Sequence, residues 1–216
     1  MQYIKNIDST STELRRRMSA EELPHGYCIS ADFQTAGHGQ ATNHWESEDG
    51  KNLLFSLLLR PSVIPASEQF VITEIVTLAI INALQDYIRQ RITIKWPNDI
   101  YVGDKKLCGI LIENALCGPT IDTCIVGIGI NINQELFTSN APNPISLKQL
   151  NGRDNDREEI FEEIYQNILR YYDYLADNWQ NNDIKQSLHY EYMNNLYRRV
   201  GYHNYSTPEG EKFSAE

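Results

Sequence analysis

Two lysines and an aspartate stand close together in the middle of the chain, between segments that predict buried β-strands. Lys95 and Asp99 are the ends of the run Lys-Trp-Pro-Asn-Asp, and Lys106 opens the run Lys-Leu-Cys-Gly-Ile-Leu. Lysine ammonium groups neutralise phosphate or carboxylate oxygens, and a neighbouring carboxylate can hold a magnesium ion. The combination indicates nucleotidyl chemistry. The alternative is a simple turn at residues 97–99, with both lysine side chains reaching solvent from strand ends.

A long loop over residues 35–50 carries the second group of candidate residues. Gly37 and Gly39 follow a predicted strand, so backbone amides there can gather around an anion. Trp45, near the end of the loop, could cover a flat ring. A single Gly-x-Gly favours a plain turn, but a loop of this length is unusual as a mere connection.

The segment 127–131, Gly-Ile-Gly-Ile-Asn, has two glycines inside a predicted strand. Glycine in a strand lowers stability unless another group approaches the backbone closely. A ligand ring lying on Gly127 and Gly129 explains them. A bulge or a sheet-packing constraint explains them equally well, and the sequence leaves both open.

The hydrophobic pattern predicts the elements that position these segments. A Thr-x-x-Glu capping box at Thr10 and Glu13 predicts a helix to about Met18. An apolar stripe from Val71 to Ile88 predicts a helix on one sheet face, and similar stripes recur over 156–179 and 184–196. Strands are predicted at 3–4, 27–33, 52–59 and in antiparallel succession over 93–132, with a hairpin after 197 that turns at 208–210.

The chain has 216 residues, 41% of them hydrophobic, and a net charge of −10. This length and composition predict one main globular domain. The acidic balance argues against a nucleic-acid surface, and the apolar runs are shorter than a membrane span, so neither nucleic acid nor membrane is expected as a partner. The N-terminal residues carry no export signal, which predicts the cytoplasm. The four cysteines lack metal-ligand or disulfide spacing and are expected to be buried free thiols.

Five segments, taken in order, resemble the catalytic domain of biotin protein ligases, and the resemblance covers nearly the whole chain. The segments are Asp8-Ser9-Thr10, Gln34-Thr35-Ala36-Gly37 with its loop to Trp45, and residues 95–99, 106–111 and 127–131. The resemblance implies an α+β fold with a mixed, largely antiparallel sheet flanked by helices, related to lipoyl ligases and class II aminoacyl-tRNA synthetases. It also implies a catalytic domain over 1–190 and the incomplete start of an SH3-like β module over 191–216.

The resemblance implies a reaction in two steps. Biotin and ATP, with Mg²⁺, give biotinyl-5'-AMP and pyrophosphate. A specific lysine of a biotin carboxyl carrier domain then displaces AMP and becomes biotinylated. The carrier domain is therefore the expected protein partner, and the state of assembly is left open, with a homodimer as one option.

The resemblance also implies roles for individual residues. Lys106 and Asp99 would be catalytic, because Lys106 stabilises the reacting carboxylate and α-phosphate while Asp99 organises magnesium. The residues implied to bind biotin are Ser9, Thr10, Gln34, Gly37, His38, Lys106, Gly109 and Leu111. The residues implied to bind ATP are His38, Gln40, Trp45, Lys95, Asn98 and Asn131.

The glycine loop departs from the family pattern. Family members usually carry arginine after the first glycine and again further on, where this chain has His38 and Ala41. Histidine is a weaker phosphate clamp than a bidentate arginine, so a leaky intermediate is one expected consequence. The short stretch before Asp8 has no room for a helix-turn-helix domain, so a repressor role is not expected.

Two other functions compete with the leading one. A lipoate or octanoate ligase of the same fold would need a longer and less polar acyl channel than Ser9, Thr10 and Gln34 suggest. A non-catalytic relative that binds biotin or its adenylate would be favoured by the altered loop and by the shortened C-terminal module.

Overall fold

A computed structural model describes residues 1–39, 44–139, 141–207 and 209–216. The chain begins with strand β1 (Gln2–Ile7), helix α1 (Thr10–Ala20), and strands β2 (Cys28–Gln34) and β3 (Leu53–Leu59). Helix α2 (Phe70–Leu84) precedes strands β4 (Ile92–Lys95), β5 (Asp99–Val102), β6 (Lys105–Cys117) and β7 (Thr120–Ile130). Helices α3 (Leu147–Asn151), α4 (Arg157–Asp177) and α5 (Asn182–Asn194) follow, and then the hairpin strands β8 (His203–Ser206) and β9 (Lys212–Ala215).

The first seven strands form one mixed sheet in the order β1-β2-β3-β7-β6-β5-β4. Strands β1 and β2 are parallel, because α1 connects them, and every other neighbouring pair in this sheet is antiparallel. All seven residues of the interior strand β3 are buried. The predicted α+β fold with a largely antiparallel sheet is therefore confirmed.

One face of the sheet carries the main hydrophobic core. Helix α2 packs there against α4 and α5, and twelve of its fifteen residues are buried. The stretch 66–84 is long and apolar enough to cross a membrane by length and composition, yet 61% of it is buried inside the fold. Its apolar character is explained by its position between the sheet and the outer helices.

The opposite face is covered only in part, among the described residues, by α1 and a second cluster around Leu14, Ile29 and Leu58. The salt bridge between Arg15 and Glu113 joins α1 to β6 on this side. Beyond α1, the same face presents Ser56 of β3 and the glycines of β6 and β7. Small side chains there leave an open concave surface.

Several local predictions need correction. Ser9, not Thr10, is the N-cap of α1, and it makes no side-chain capping bond, so the predicted capping box is wrong. Helix α2 ends at Leu84, before Ile88. The short helix α3 was not predicted, although its capping box of Ser146 and Gln149 is present in the sequence.

The cysteine prediction is right for three of the four side chains. Cys28, Cys108 and Cys124 are buried free thiols, whereas Cys117 is exposed near the end of β6. Burial raises the pKa of the Cys28 thiol to about 12. A thiol with such a pKa carries very little thiolate at neutral pH, so Cys28 is a packing residue.

Candidate active site

A β-bulge between β5 and β6 directs Lys106 onto the open face of the sheet. Asp99 pairs with Gly109, but the register shifts so that Tyr101 pairs with Lys106. The extra residue lets Leu107 and Cys108 both join the hydrophobic core. Lys106 Nζ consequently lies 2.8 Å from Asp99 Oδ1, and this partly exposed ion pair forms the centre of the site.

The backbone of Lys106 is fixed from its other side. Its N–H donates to the Asn143 carbonyl oxygen at 2.8 Å, and its carbonyl oxygen accepts from the Ile145 N–H at 3.0 Å. The position of the ammonium group therefore depends on residues 143–145 as well as on the sheet.

Hydroxyl groups line the floor next to this pair. Gln34 Oε1 accepts from the Thr10 N–H at 2.7 Å and from Thr10 Oγ1 at 3.1 Å. Thr10 Oγ1 and Ser56 Oγ are 2.8 Å apart, and Ser9 Oγ lies 3.1 Å from Ser11 Oγ. All four hydroxyl residues are buried, so this is a polar floor inside an otherwise apolar sheet.

The indole of Trp45 lies flat against two glycines of neighbouring strands. A Cβ atom added to Gly129 would lie 2.5 Å from Trp45 Cε2, and one added to Gly109 would lie 2.7 Å from Cζ3. Lys106 Nζ stands 5.7 Å from the ring centroid, which permits a cation–π contact. Gly109 and Gly129 thus accommodate an aromatic ring of the protein itself, the indole of Trp45.

Two cavities meet at the Lys106–Asp99 pair. We call the first the inner cavity; it has a volume of about 140 Å³ and includes the polar floor. The predicted site residues that line it are Ser9, Thr10, Gln34, His38, Trp45, Asn98, Asp99, Lys106, Gly109 and Leu111. Gly127 and Gly129 line it as well, so the structure brings together residues from all five segments of the sequence. Gly37 lies just behind it, where an added Cβ would come 2.9 Å from Gln34 Nε2.

The second, or outer, cavity has a volume of about 480 Å³. Trp45, Asp99 and Lys106 line both cavities, while Lys95 and Asn131 line only the outer one. Lys95 Nζ is held 3.3 Å from the hydroxyl oxygen of Tyr101. Gln40, also predicted to bind ATP, lies outside the residues that the structure describes.

Asn131 has an unusual hydrogen-bonding state. Its side chain is 3% exposed and its Nδ2 donates to the Ile145 carbonyl oxygen at 3.1 Å. Within the described part of the chain, Oδ1 has no hydrogen-bond partner. A buried acceptor without a donor is unfavourable, so this atom is suited to accept a hydrogen bond from a bound ligand.

The Lys-Trp-Pro-Asn-Asp segment is anchored by structural hydrogen bonds. Asn98 is buried and its Nδ2 donates to the Ile110 carbonyl oxygen at 2.5 Å. The hydroxyl of Tyr192, from α5, donates to the Pro97 carbonyl oxygen at 2.8 Å. These two bonds position Asp99, whereas the side chain of Trp96 is 69% exposed.

Several residues of the site escaped the sequence analysis. Ser56 is a fully buried serine in the run Leu-Leu-Phe-Ser-Leu-Leu-Leu, and such an isolated hydroxyl was a usable signal. Tyr101 and Phe137 line the outer cavity, and His44 lines both cavities. Glu46 binds the segment that contains Phe137, and only the fold reveals that contact. Among the described residues, no group of three or more His, Cys, Asp or Glu side chains could hold a metal ion.

Comparison with known proteins identifies the class. A model of the biotin/lipoate A/B protein ligase family matches residues 3–131, which contain every residue predicted for the site. The chain belongs to this family. The match ends before α3. Tyr192 and the residues of the outer cavity wall therefore lie in the C-terminal part of the chain that the family model does not cover.

Individual relatives agree with this assignment. The bifunctional ligase/repressor BirA of Bacillus spizizenii is 31% identical over 178 residues, which are 80% of this chain and 54% of that protein. The biotin–[acetyl-CoA-carboxylase] ligase of Paracoccus denitrificans is 30% identical over 167 residues, 74% of this chain and 67% of the relative. The chain thus spans about half the length of the BirA relative.

A solved structure has the same fold. The biotin protein ligase from Aquifex aeolicus in complex with biotin and ATP superposes with a TM-score of 0.79 and 25% identity. The alignment covers 99% of this chain and 84% of that one. The correspondence extends past the sheet to the helices and to the C-terminal hairpin.

Proposed function

We propose that this protein is a biotin protein ligase that forms biotinyl-5'-AMP from biotin and MgATP and transfers biotin to a lysine of a biotin carboxyl carrier domain. The observation that carries the proposal is the junction of a polar inner cavity and a larger outer cavity at the Lys106–Asp99 pair. Two substrates that react with each other must meet at one point, and the negative charges of both must be neutralised there.

The inner cavity suits the biotin ring system. A ureido group offers two N–H donors and one carbonyl acceptor, and the hydroxyls of Ser9, Thr10 and Ser56 with Gln34 can match all of them. Gly109, Leu111 and the indole of Trp45 provide apolar walls. The small volume favours a compact ring over a long acyl chain.

The outer cavity suits the nucleotide. The unpaired Oδ1 of Asn131 would accept a hydrogen bond from the exocyclic amine of adenine. Lys95 would neutralise phosphate oxygens from the opposite wall. Two carboxylates line this cavity, and that of Glu46 is occupied by bonds from Thr138 and Ser139, so magnesium would enter bound to the phosphates and use Asp99 as an additional ligand.

The first step joins two anions. A carboxylate oxygen of biotin attacks the α-phosphorus, the bond from that phosphorus to the bridging oxygen breaks, and pyrophosphate leaves with the electron pair. Lys106 lies where both cavities meet, so its ammonium group would offset the charge that accumulates on the carboxylate and α-phosphate. Asp99 would hold the ammonium group in that position.

The second step replaces AMP by a lysine amine. The amine attacks the acyl carbon, the bond from this carbon to the phosphate oxygen breaks, and the nitrogen loses a proton as the amide forms. A groove beside the outer cavity, which shares Lys95 with it and contains Trp96, Tyr205 and Phe213, supports an approach of the carrier from the C-terminal hairpin. We accordingly propose that the C-terminal hairpin contacts the carrier domain that accepts biotin.

We propose that the boundary between the catalytic domain and the C-terminal module lies after Tyr197 and not at residue 190. Residue 190 falls inside α5, and the chain then pairs with β4 through the Ile94 N–H to Asn195 and the Tyr197 N–H to Ile94. These bonds attach residues 195–197 to the edge of the large sheet. For a ligase of a metabolic carboxylase, we propose the cytoplasm as its location.

The proposal is tested by incubating the protein with biotin, MgATP and a purified biotin carboxyl carrier domain and measuring the intact mass of the carrier. An ATP-dependent mass gain of one biotin is expected. Lipoate in place of biotin should give no gain, because a dithiolane ring cannot satisfy the hydroxyl floor. Modification by lipoate alone would indicate the lipoate ligase, and biotin binding without any adduct would indicate the non-catalytic relative.

Asn131 leads to a prediction about nucleotide choice. Inosine triphosphate carries a carbonyl acceptor where ATP carries its amine, so it would face Oδ1 with a second acceptor. We expect the KM for ITP to exceed that for ATP by about 10-fold or more. Asn131→Ala should reduce the difference to less than about 3-fold by the same reasoning. Equal KM values for the two nucleotides in the unmodified protein would refute this role of Asn131.

A further inference from the structure

Glu46 joins the Trp45 segment to a distant part of the chain. Its Oε1 accepts hydrogen bonds from the Thr138 N–H at 2.7 Å and from Thr138 Oγ1 at 3.0 Å, and its Oε2 accepts from the Ser139 N–H at 3.0 Å. Three donors from two successive residues thus converge on one carboxylate. Burial alone would raise the pKa of Glu46, but the bonds from Ser139 and Thr138 outweigh it and lower the pKa.

The segment that Glu46 binds forms one wall of the outer cavity. Phe137 and residues 141–144 line that cavity opposite Trp45. The wall is fixed at its start by Gln134, whose Oε1 accepts from Asn52 Nδ2 at 2.6 Å, and at its end by the bonds of Asn143 and Ile145 to Lys106. Glu46 supplies the anchor between these two.

Glu46 is also adjacent to the residue that separates the two cavities. Trp45 lines both cavities, and its backbone N–H donates to the Gly37 carbonyl oxygen at 3.0 Å. Glu46, the next residue, also lines the outer cavity, and its carboxylate accepts the bonds from Thr138 and Ser139. A single pair of residues therefore fixes the indole on the sheet and the wall over the outer cavity.

We propose that Glu46 is a positioning residue that keeps Trp45 and the wall formed by residues 137–139 and 141–145 together around the nucleotide, and so retains the adenylate between the two steps. The inference rests on the proposed function. It assigns to Glu46 no contact with substrate and no part in the chemistry at Lys106. Its loss should therefore weaken nucleotide binding and accelerate escape of the adenylate, while the rate at saturating ATP changes little.

The experiment compares Glu46→Ala and Glu46→Gln with Glu48→Gln. Glu48 is exposed and lies two residues away, so its substitution removes the same charge without touching Thr138 or Ser139. For each protein we would measure the KM for ATP and kcat for adenylate formation, the rate at which biotinyl-5'-AMP appears free in solution without carrier, and the thermal unfolding midpoint.

We expect Glu46→Ala to raise the KM for ATP and the adenylate escape rate by about 10-fold each, with kcat within about 2-fold of the unmodified protein. Glu46→Gln keeps one acceptor oxygen and should give an intermediate effect, and Glu48→Gln should give none. Thr138→Val removes only the hydroxyl donor and should raise the KM by less than about 3-fold.

Other outcomes contradict the inference. An equal fall in kcat for both Glu46 variants with an unchanged KM would identify Glu46 as a merely structural residue. Unchanged KM and escape rates would overturn the inference and leave the proposed function intact. If the unmodified protein forms no adenylate, the proposed function fails. The role of Glu46 is then decided by ATP affinity, measured by calorimetry. Weaker ATP binding by Glu46→Ala supports the positioning role, and equal binding, or no binding by either protein, overturns it.

Discussion

Lys106→Ala is expected to lower the rate of adenylate formation by at least about 100-fold while biotin still binds, because one preorganised charge contributes about this much to a reaction between anions. The ammonium group stands where the inner and outer cavities meet, 2.8 Å from Asp99. The polar floor that would hold the biotin ring comes from α1, β2 and β3 and does not depend on this side chain. Binding and chemistry should therefore separate in this variant.

The measurement is single-turnover formation of biotinyl-5'-AMP at saturating biotin and MgATP, with biotin affinity determined by calorimetry. Lys105→Ala is the matched control, since Lys105 is exposed at the start of β6 and lines neither cavity. The backbone bonds from residue 106 to residues 143 and 145 remain in the variant, so the fold should persist. Unchanged adenylation by Lys106→Ala would remove this lysine from the mechanism, and lost biotin binding would assign it to the inner cavity alone.

The bulge that positions Lys106 could be predicted from the sequence only in part. Alternate residues of a regular strand lie on the same face. With Gly109 on the open face, Leu107 would then also lie on the open face and Lys106 would lie in the core. A lysine is rarely buried without a partner, so this conflict in principle predicts an irregular strand. The sequence pattern therefore indicated a bulge in β6. Only the register between β6 and β5 shows that Lys106 contacts Asp99.

Strands and long helices were predictable because burial imposes their periodicity. The uninterrupted apolar run of β3 and the stripe of α4 each reflect a fixed position against the core. The partners of the loops were not predictable in the same way. Glu46 and Thr138 are 92 residues apart and polar, so no periodic pattern links them.

Gly129 was open to two explanations in the sequence, a ligand ring on the strand or a packing constraint within the protein. The structure has Trp45 in the space next to it, with the indole atoms Cε2, Nε1 and Cζ2 all within 2.9 Å of where a Cβ would lie. An indole is rigid and flat, so it cannot yield by rotating a terminal group. A methyl group at residue 129 must therefore displace the whole ring.

Gly129→Ala is accordingly expected to weaken nucleotide binding by about 5- to 150-fold, the range that corresponds to the ~1–3 kcal/mol typical of overpacking. The displaced indole would no longer form the shared wall of the two cavities. The measurement is ATP affinity by calorimetry, together with the thermal unfolding midpoint. Gly127→Ala is the control for the ring clash, because its added Cβ would meet its nearest neighbour, the Leu111 carbonyl oxygen, at an ordinary 3.6 Å.

A double-mutant cycle with Trp45→Ala distinguishes the two explanations of the glycine. If the indole is the group that requires Gly129, then Gly129→Ala should have little further effect once Trp45 has been truncated, and the two substitutions will be strongly non-additive. If the effects add, the methyl group must instead collide with the bound ligand itself. Gly129 would then be required by direct contact with the substrate, and the indole would merely occupy that space while the ligand is absent.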